Sequence, residues 1–285
     1  MKKREMREMS NVVEIHWLYD HLHDPEVVVV DCRFALGQPV SGRTDYEEGH
    51  IAGAVYFDLD QDMSAPIEEH GGRHPLPDLQ QLAAKLGRAG IDAQKFVVAY
   101  DEGGAMSSRF WWLLRYMGHE RVAVLNGGFF AWKANGYETT AVIPQPVQTT
   151  FVPTVQADMR LSMEDVRSRL GTGKAVLIDS REHIRYIGKE EPIDPVAGHI
   201  PGARNAFWKD SLDEQGRFKP GKEQAERFSG IAEDQEIIVY CGSGVTACPN
   251  VLALMEAGFS QVRLYAGSWS DWISYSENPI ATGEE

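Results

Sequence analysis

The sequence predicts an α/β protein made of two tandem domains, each with a mainly parallel sheet flanked by helices. Short apolar strands alternate with helical patterns along the chain, which is typical of this class. Several motifs recur in the same order in the two halves, between 140 and 149 positions apart. A length of 285 residues accommodates two domains of ordinary size.

The composition argues against several classes of protein. The 42 acidic residues outnumber the 28 basic ones and give a formal net charge of -14, which disfavours a nucleic-acid partner. The three cysteines (Cys32, Cys241 and Cys248) are too few for a disulfide scaffold and favour a reducing, cytoplasmic location. No apolar run approaches the ~18 residues of a membrane span. Residues 1–8 contain several basic residues, but the apolar stretch of a signal peptide does not follow them.

Two motifs recur near the start of each half. Asp31 and Asp179 each end an apolar strand, and His50 and His199 each stand in the pattern Gly-His-Ile-(Ala/Pro)-Gly-Ala. Because both halves carry these residues, we expect structural roles for them. The histidines should hold a turn together, and the aspartates should bond the neighbouring turn or pair with an arginine.

Two further blocks recur 140 positions apart. Residues 97–101 align with 237–241, and residues 124–132 align with 264–272. A period of ~140 residues is the size of a domain and not of a solenoid repeat. The sequence therefore indicates an internal duplication.

A segment rich in Pro, Thr and Val and nearly free of charge separates the halves. Such a composition predicts an extended connector that lies on the protein. We accordingly expect an N-terminal domain at residues 1–143, a linker at 144–160 and a C-terminal domain at 161–285.

Cys241 stands at the most informative position in the chain. An apolar strand at residues 236–240 precedes it, a glycine-containing loop follows at 241–247, and residues 251–258 have the pattern of a helix. Glycines allow backbone N–H groups to point into the loop, and the helix start adds further unpaired N–H groups. This arrangement favours a thiolate, which is the nucleophilic form of cysteine.

The first half differs at this position. Asp101 replaces Cys241, and we expect the following loop to differ in composition and in length. A carboxylate cannot be this nucleophile. The second domain is therefore predicted to carry the chemistry, while the first is silent, covers the site and supplies one wall.

Two other interpretations of Cys241, a phosphatase nucleophile and a buried core thiol, fit the sequence less well. The order strand, cysteine, loop, helix also describes protein tyrosine phosphatases, but these need an arginine where this chain has Ala247. A buried core thiol is common for an isolated cysteine, although it does not need a glycine-rich turn. Cys32 is predicted to be inert packing. Cys248 is either a buried small residue or the partner of Cys241 in a regulatory disulfide.

The duplicated Gly-His-Ile motif, the loop at 241–247 and the Gly-Ser-Trp-Ser-Asp-Trp block at 267–272 resemble the rhodanese domain. The resemblance extends from about Val12 to Ile280. It implies a tandem rhodanese-domain sulfurtransferase with one active cysteine, which works by a ping-pong cycle through a Cys241 persulfide. It implies no metal or organic cofactor.

The loop composition bears on the sulfur donor. The loop looks like the 3-mercaptopyruvate sulfurtransferase form, whereas thiosulfate-preferring relatives carry basic residues in place of Gly242 and Ser243. A second substrate arginine usual in mercaptopyruvate enzymes is absent from residues 188–197, where Lys189 is the only cation. Thiosulfate therefore stays open as an alternative donor.

The resemblance also implies roles for individual residues. Arg185 would bind the donor's carboxylate or sulfonate, and Asp60 and His74 would form a polar relay with Ser243. The remaining loop residues would contact the donor: Gly242, Gly244, Val245 and Thr246. The alternatives are a surface ion pair for Arg185, helix caps for Ser243 and Thr246, and a structural role for His74.

The expected partners follow from this chemistry. They are a small anionic sulfur donor and a thiol, thioredoxin or cyanide acceptor, with no nucleic acid and no membrane. A non-enzymatic alternative is a module in which Cys241 only carries a persulfide or senses oxidation.

Overall fold

The computed structural model describes residues 10–38 and 40–284, so the expectation about residues 1–8 lies outside the described part. The chain forms two compact units. Unit 1 comprises the described residues up to Ala65, Pro77–Gln156 and Glu214–Phe218, and unit 2 comprises Pro66–Leu76, Ala157–Asp213 and the described residues from Lys219. The boundaries drawn from the sequence at 143 and 161 stay a prediction.

Unit 1 is a parallel five-stranded sheet in the order β1-β5-β4-β2-β3, flanked by helices. The apolar runs of the sequence form the central strands, and Val27 lies opposite Phe96 in the register of β2 and β4. The strands are β1 (Val12–Val13), β2 (Val27–Asp31), β3 (Val55–Tyr56), β4 (Phe96–Tyr100) and β5 (Val122–Leu125). The helices are α1 (Ile15–His21), α2 (Ser41–Glu48), α3 (Leu79–Arg88), α4 (Ala105–Tyr116) and α5 (Gly128–Ala134).

Unit 2 repeats this topology in the order β6-β10-β9-β7-β8, again wholly parallel. Trp269 and Trp272 are fully buried in its core. The strands are β6 (Arg160–Leu161), β7 (Ala175–Asp179), β8 (Ala203–Asn205), β9 (Glu236–Tyr240) and β10 (Val262–Tyr265). The helices are α6 (Met163–Arg167), α7 (His183–Tyr186), α8 (Gly221–Arg227), α9 (Cys248–Glu256) and α10 (Ser268–Trp272), with 3-10 turns at Ala157–Met159 and Trp208–Ser211. The predicted α/β class is confirmed.

The repeated aspartates pair with the arginines two residues later. Nη2 of Arg33 lies 2.7 Å from the Asp31 carboxylate, and Nη2 of Arg181 lies 2.6 Å from that of Asp179. All four side chains are buried. Each pair sits at the end of an inner strand and ties it to the following loop, so the predicted structural role is confirmed.

The repeated histidines fasten turns in the two units. Nδ1 of His50 lies 2.7 Å from the carbonyl oxygen of Tyr46, and Nδ1 of His199 lies 2.8 Å from that of Tyr186. The His50 ring also stacks on the Tyr46 ring, and the His199 ring stacks on the Tyr186 ring. Their presence in both units is therefore explained by folding and not by catalysis.

No helix within residues 10–38 and 40–284 has the length and apolar character that crossing a membrane requires.

Candidate active site

Cys241 directly follows the central strand β9, at the carboxyl edge of the unit 2 sheet. The residue is only 1% exposed, and the backbone N–H of Gly244 donates a hydrogen bond to its Sγ at 3.2 Å. The Cys241 carbonyl accepts from the N–H of Trp269 at 3.0 Å. An N–H donor aimed at the sulfur can stabilise negative charge that develops on it during a reaction.

A strained residue holds the backbone of Cys241. Ser268 has a φ of 57° and is, within the described ranges, the one non-glycine residue with a positive φ. Its Oγ accepts the Cys241 N–H at 3.1 Å, and its hydroxyl donates to the Tyr265 carbonyl at 2.9 Å. Such a conformation costs on the order of 1 kcal/mol and persists where the surroundings enforce it. Sequence reasoning missed this residue, although the repeat places glycine (Gly128, φ 58°) at the equivalent position.

Close packing shapes the loop itself. Gly244 has a φ of 77°, and a Cβ atom there would lie 2.1 Å from the Ala266 carbonyl oxygen, so only glycine fits. Val245 is buried, and its carbonyl accepts the N–H of Cys248 at 3.1 Å. Thr246 is half-buried in the same loop.

All three cysteines are free and buried. The Cys248 thiol donates to the Gly244 carbonyl at 3.3 Å, at the start of α9. Cys248 is thus a buried small residue, which is the first of the two alternatives that the sequence left open.

Ser243 and His74 are brought together. Nδ1 of His74 lies 2.7 Å from Oγ of Ser243, and both residues are buried. Asp60, the third member of the expected relay, belongs to unit 1, where its N–H donates to the Asp58 carboxylate and burial raises the pKa of its own carboxyl. Its place in the relay stays a prediction.

His74 lies on a segment that the sequence places in the first half and the structure places in unit 2. We call residues 66–76 the arm. Three hydrogen bonds fix the arm to the region around α10: His70 Nδ1 to Ser274 Oγ at 2.8 Å, Gly71 N–H to the Asp271 carboxylate at 2.7 Å, and Arg73 N–H to Ser270 Oγ at 3.1 Å.

Arg185 extends from α7 into an ion-paired cluster. It donates from Nε and Nη2 to the Glu191 carboxylate at 3.0 and 2.6 Å, and from Nη2 to Asp194 at 3.2 Å. Burial acts to raise the pKa of Glu191, but the bonds from Arg185 and the backbone outweigh it and lower that pKa. The ion pair considered for Arg185 is therefore present, and it is largely buried rather than superficial.

A second arginine, Arg73 from the arm, joins the same cluster. Its Nε and Nη2 donate to the two Asp194 oxygens at 2.9 and 3.1 Å. A Cβ atom at Gly242 would lie 2.7 Å from Nη2 of Arg73 and 3.6 Å from Nη2 of Arg185. Lys189 is the only cation within residues 188–197, but the second arginine of the cluster, Arg73, lies outside that segment and was not predicted. The sequence offered one sign of it, because Arg73 directly precedes His74.

Within the described residues, no group of three or more His, Cys, Asp or Glu side chains could hold a metal ion.

The fold and the site together define a class of protein: two parallel α/β units in tandem, with a buried cysteine in a glycine-containing strand-to-helix loop of the second. Residues 14–135 and 162–275 each match the rhodanese-like domain family. The chain belongs to this family, as the sequence motifs predicted.

Its relatives are sulfurtransferases by name. The chain is 45% identical to the "Probable 3-mercaptopyruvate sulfurtransferase" of Pseudomonas aeruginosa, over 92% of this chain and 95% of the relative. It is 33% identical to the thiosulfate sulfurtransferase of Cricetulus griseus, over 92% and 91% of the two chains. The crystal structure of SseA from Escherichia coli, a 3-mercaptopyruvate enzyme by its description, is similar with a TM-score of 0.80, 32% identity and coverage of 92% and 100%.

Proposed function

We propose that this protein is a sulfurtransferase that moves a sulfane sulfur from 3-mercaptopyruvate to a thiophilic acceptor through a persulfide on Cys241. The observation that carries the proposal is the Gly244 N–H bonded to Cys241 Sγ inside a loop free of basic side chains. The 45% identity to a relative named for this activity supports it.

In the first half-reaction the Cys241 thiolate attacks the donor sulfur. An S–S bond forms while the donor's C–S bond breaks, and the electron pair of that bond leaves on carbon as the enolate of pyruvate. One proton then converts the enolate to pyruvate. In the second half-reaction an acceptor thiolate attacks the outer sulfur, forms its own persulfide and returns Cys241 as the thiolate.

Other residues receive supporting roles in this proposal. Ser243 and His74, 2.7 Å apart, relay the proton that pyruvate requires, and Asp60 is the expected third member of the relay. Arg185 binds the donor carboxylate by charge-assisted hydrogen bonds. Four residues of the loop line the donor position: Gly242, Gly244, Val245 and Thr246. Residues 161–285 form the catalytic domain, and the domain that carries Asp101 is silent.

Steady-state turnover with 3-mercaptopyruvate and with thiosulfate, measured side by side, tests the donor assignment. Intact mass after each donor tests the intermediate, because a persulfide adds one sulfur atom that Cys241→Ser cannot carry. Thiosulfate turnover equal to or faster than mercaptopyruvate turnover would overturn the donor assignment. Absence of the added sulfur atom would overturn the assignment of a persulfide intermediate to Cys241.

Thiosulfate is the second candidate donor. The two guanidinium groups beside Gly242 can also donate hydrogen bonds to a sulfonate, and a thiosulfate sulfurtransferase is among the relatives. A module in which Cys241 only carries a persulfide or senses oxidation is the third candidate, and multiple turnovers with a thiol, thioredoxin or cyanide acceptor would exclude it. A cytoplasmic location is part of the proposal and rests on the low cysteine content.

A further inference from the structure

Arg73 and Asp194 contribute a feature of the site that neither the motifs nor the relatives' names assign. We propose that Arg73 is a second donor-binding arginine, and that Asp194 is a positioning residue that holds Arg73 beside Arg185 at the entrance to the loop. The inference rests on the proposed function, because it concerns the anionic end of the same donor.

One buried carboxylate connects the two arginines. The Asp194 side chain is 1% exposed, accepts two hydrogen bonds from Arg73 and accepts a third from Arg185. Its own N–H donates to Glu191 at 3.1 Å. Asp194 therefore sets the separation and the tilt of both guanidinium groups, which are otherwise carried by long flexible side chains.

The arginines retain capacity for an incoming anion. Within the described residues, Glu191 and Asp194 engage Nε and Nη2 of the two arginines, so Nη1 of each is available to a ligand. The Arg73 side chain is 26% exposed and that of Arg185 is 12% exposed, so both can be reached. Gly242 makes room for Arg73, because any Cβ atom there would collide with its Nη2.

The charge of the cluster indicates which anions it accepts. Three arginines (Arg73, Arg181 and Arg185) are ion-paired with three carboxylates (Asp179, Glu191 and Asp194), so the cluster has no formal net charge and offers directed N–H donors rather than a strong positive field. Such a site suits a donor with one carboxylate. A dianion lacks a full set of counter-charges.

The test compares two alkylating reagents that react with Cys241 in the same way and differ in charge. With iodoacetate or iodoacetamide, the thiolate forms an S–C bond and iodide leaves with the C–I bonding pair. Only iodoacetate carries a carboxylate for the arginines to bind. Rate constants come from peptide mass mapping of Cys241, and no step depends on sulfur transfer.

Arg73→Met should lower the ratio of iodoacetate to iodoacetamide rate constants about tenfold, the effect of one lost charge-assisted hydrogen bond. Arg185→Met should act similarly, and Arg73→Lys should retain part of the preference. The iodoacetamide rate should change less than about twofold, because that reagent carries no negative charge for an arginine to bind. The KM for 3-mercaptopyruvate should rise about tenfold in Arg73→Met while kcat changes less than about threefold.

Arg204→Met is the matched control. Arg204 also belongs to unit 2, but it is exposed and bonds the Gly230 carbonyl. The ratio of iodoacetate to iodoacetamide rate constants in Arg204→Met should equal that of the wild type. An unchanged ratio in Arg73→Met, or an equal fall in both alkylation rates, would overturn the proposal, since either result leaves Arg73 only the role of fixing the arm. If instead the wild-type protein shows the alkylation preference but no turnover with 3-mercaptopyruvate, the proposed sulfur transfer is contradicted and the anion-binding role of Arg73 is not.

Discussion

The two units place different groups in the same backbone loop. In unit 1 the Asp101 carboxylate accepts hydrogen bonds from the backbone N–H groups of four residues, Gly103, Gly104, Met106 and Ser107. In unit 2 the equivalent position holds Cys241, whose smaller Sγ accepts from Gly244. Burial raises the pKa of Asp101, while the four N–H groups act in the opposite direction. One loop is thus saturated by its own side chain, and the other retains N–H groups for a reacting sulfur.

The expected difference in loop length is confirmed, because helix α4 begins at Ala105 whereas α9 begins at Cys248 and leaves a longer open stretch after the cysteine. The difference does not come from an insertion. The hydrogen bond from the His119 N–H to the Leu114 carbonyl recurs 140 positions later between Phe259 and Leu254, and 140 positions also separate Asp101 from Cys241.

The residue that supports each loop also differs. Gly128 and Ser268 share the same positive φ, but only serine has an oxygen to accept the N–H of Cys241. Unit 2 therefore tolerates a strained serine where unit 1 uses an unstrained glycine. The comparison indicates that strain is retained beside the proposed nucleophile, whose backbone Ser268 holds.

The largest effect expected is that of removing the nucleophile. Cys241→Ser should lower sulfurtransferase turnover by at least about a thousandfold, because a hydroxyl is a far weaker nucleophile than a thiolate. The measurement is steady-state turnover with 3-mercaptopyruvate. Cys32→Ser is the control, since unit 2 has Ser180 at that repeat position, and it should keep turnover. Full activity in Cys241→Ser would refute the catalytic assignment.

The next largest effect is on the free energy of unfolding at acidic pH. It arises from His119 in unit 1, whose counterpart in unit 2 is Phe259, a residue that does not titrate. Burial lowers the pKa of His119 from 6.5 to about 4. Below pH 6.5 the unfolded chain therefore binds a proton that the folded protein does not, and stability falls as pH falls towards 4. At pH 5 this loss is about 2 kcal/mol.

His119→Phe should remove that part of the pH dependence. The measurement is the urea midpoint of unfolding at pH 7 and pH 5 for both proteins, with other titrating groups common to the two. The same loss of stability in variant and wild type would show that His119 does not contribute.

Ser268→Gly would give unit 2 the residue of unit 1. Loss of the acceptor for the Cys241 N–H should lower kcat about tenfold, the value of one hydrogen bond in the reacting geometry. Relief of the positive φ should leave the melting temperature unchanged or raise it. A lowered melting temperature with unchanged kcat would mean that Ser268 serves only the fold.

The smallest effect expected is a change in donor preference. Asp194→Asn removes one negative charge but keeps an oxygen that can accept from the arginines, so the entrance becomes more positive. The ratio of kcat/KM for thiosulfate to that for 3-mercaptopyruvate should rise about fivefold, within the range of one charge interaction. Parallel kinetics with both donors measure it, and a constant or falling ratio would exclude Asp194 from donor selection.

Local patterns were sufficient to predict the α/β class, the duplication, the cysteine at the end of β9 and the family. Each of these features lies in a short contiguous run, such as an apolar strand followed by glycines, whose backbone preferences act over a few residues. The pairing of His74 with Ser243 came only from the family resemblance, because residues 169 positions apart carry no local sign of contact.

Tertiary structure alone decided the rest of the site. Arg73 and Asp194 are 121 positions apart and meet because the arm belongs to unit 2. Ser268 acts through a positive φ that serine itself does not signal, although the equivalent repeat position holds Gly128. Long-range packing decides where such side chains converge, whereas sequence patterning reports mainly on strands, helices and turns. The chain by itself therefore determined the proposed nucleophile and its loop, and only the fold determined the groups that hold the loop and face its entrance.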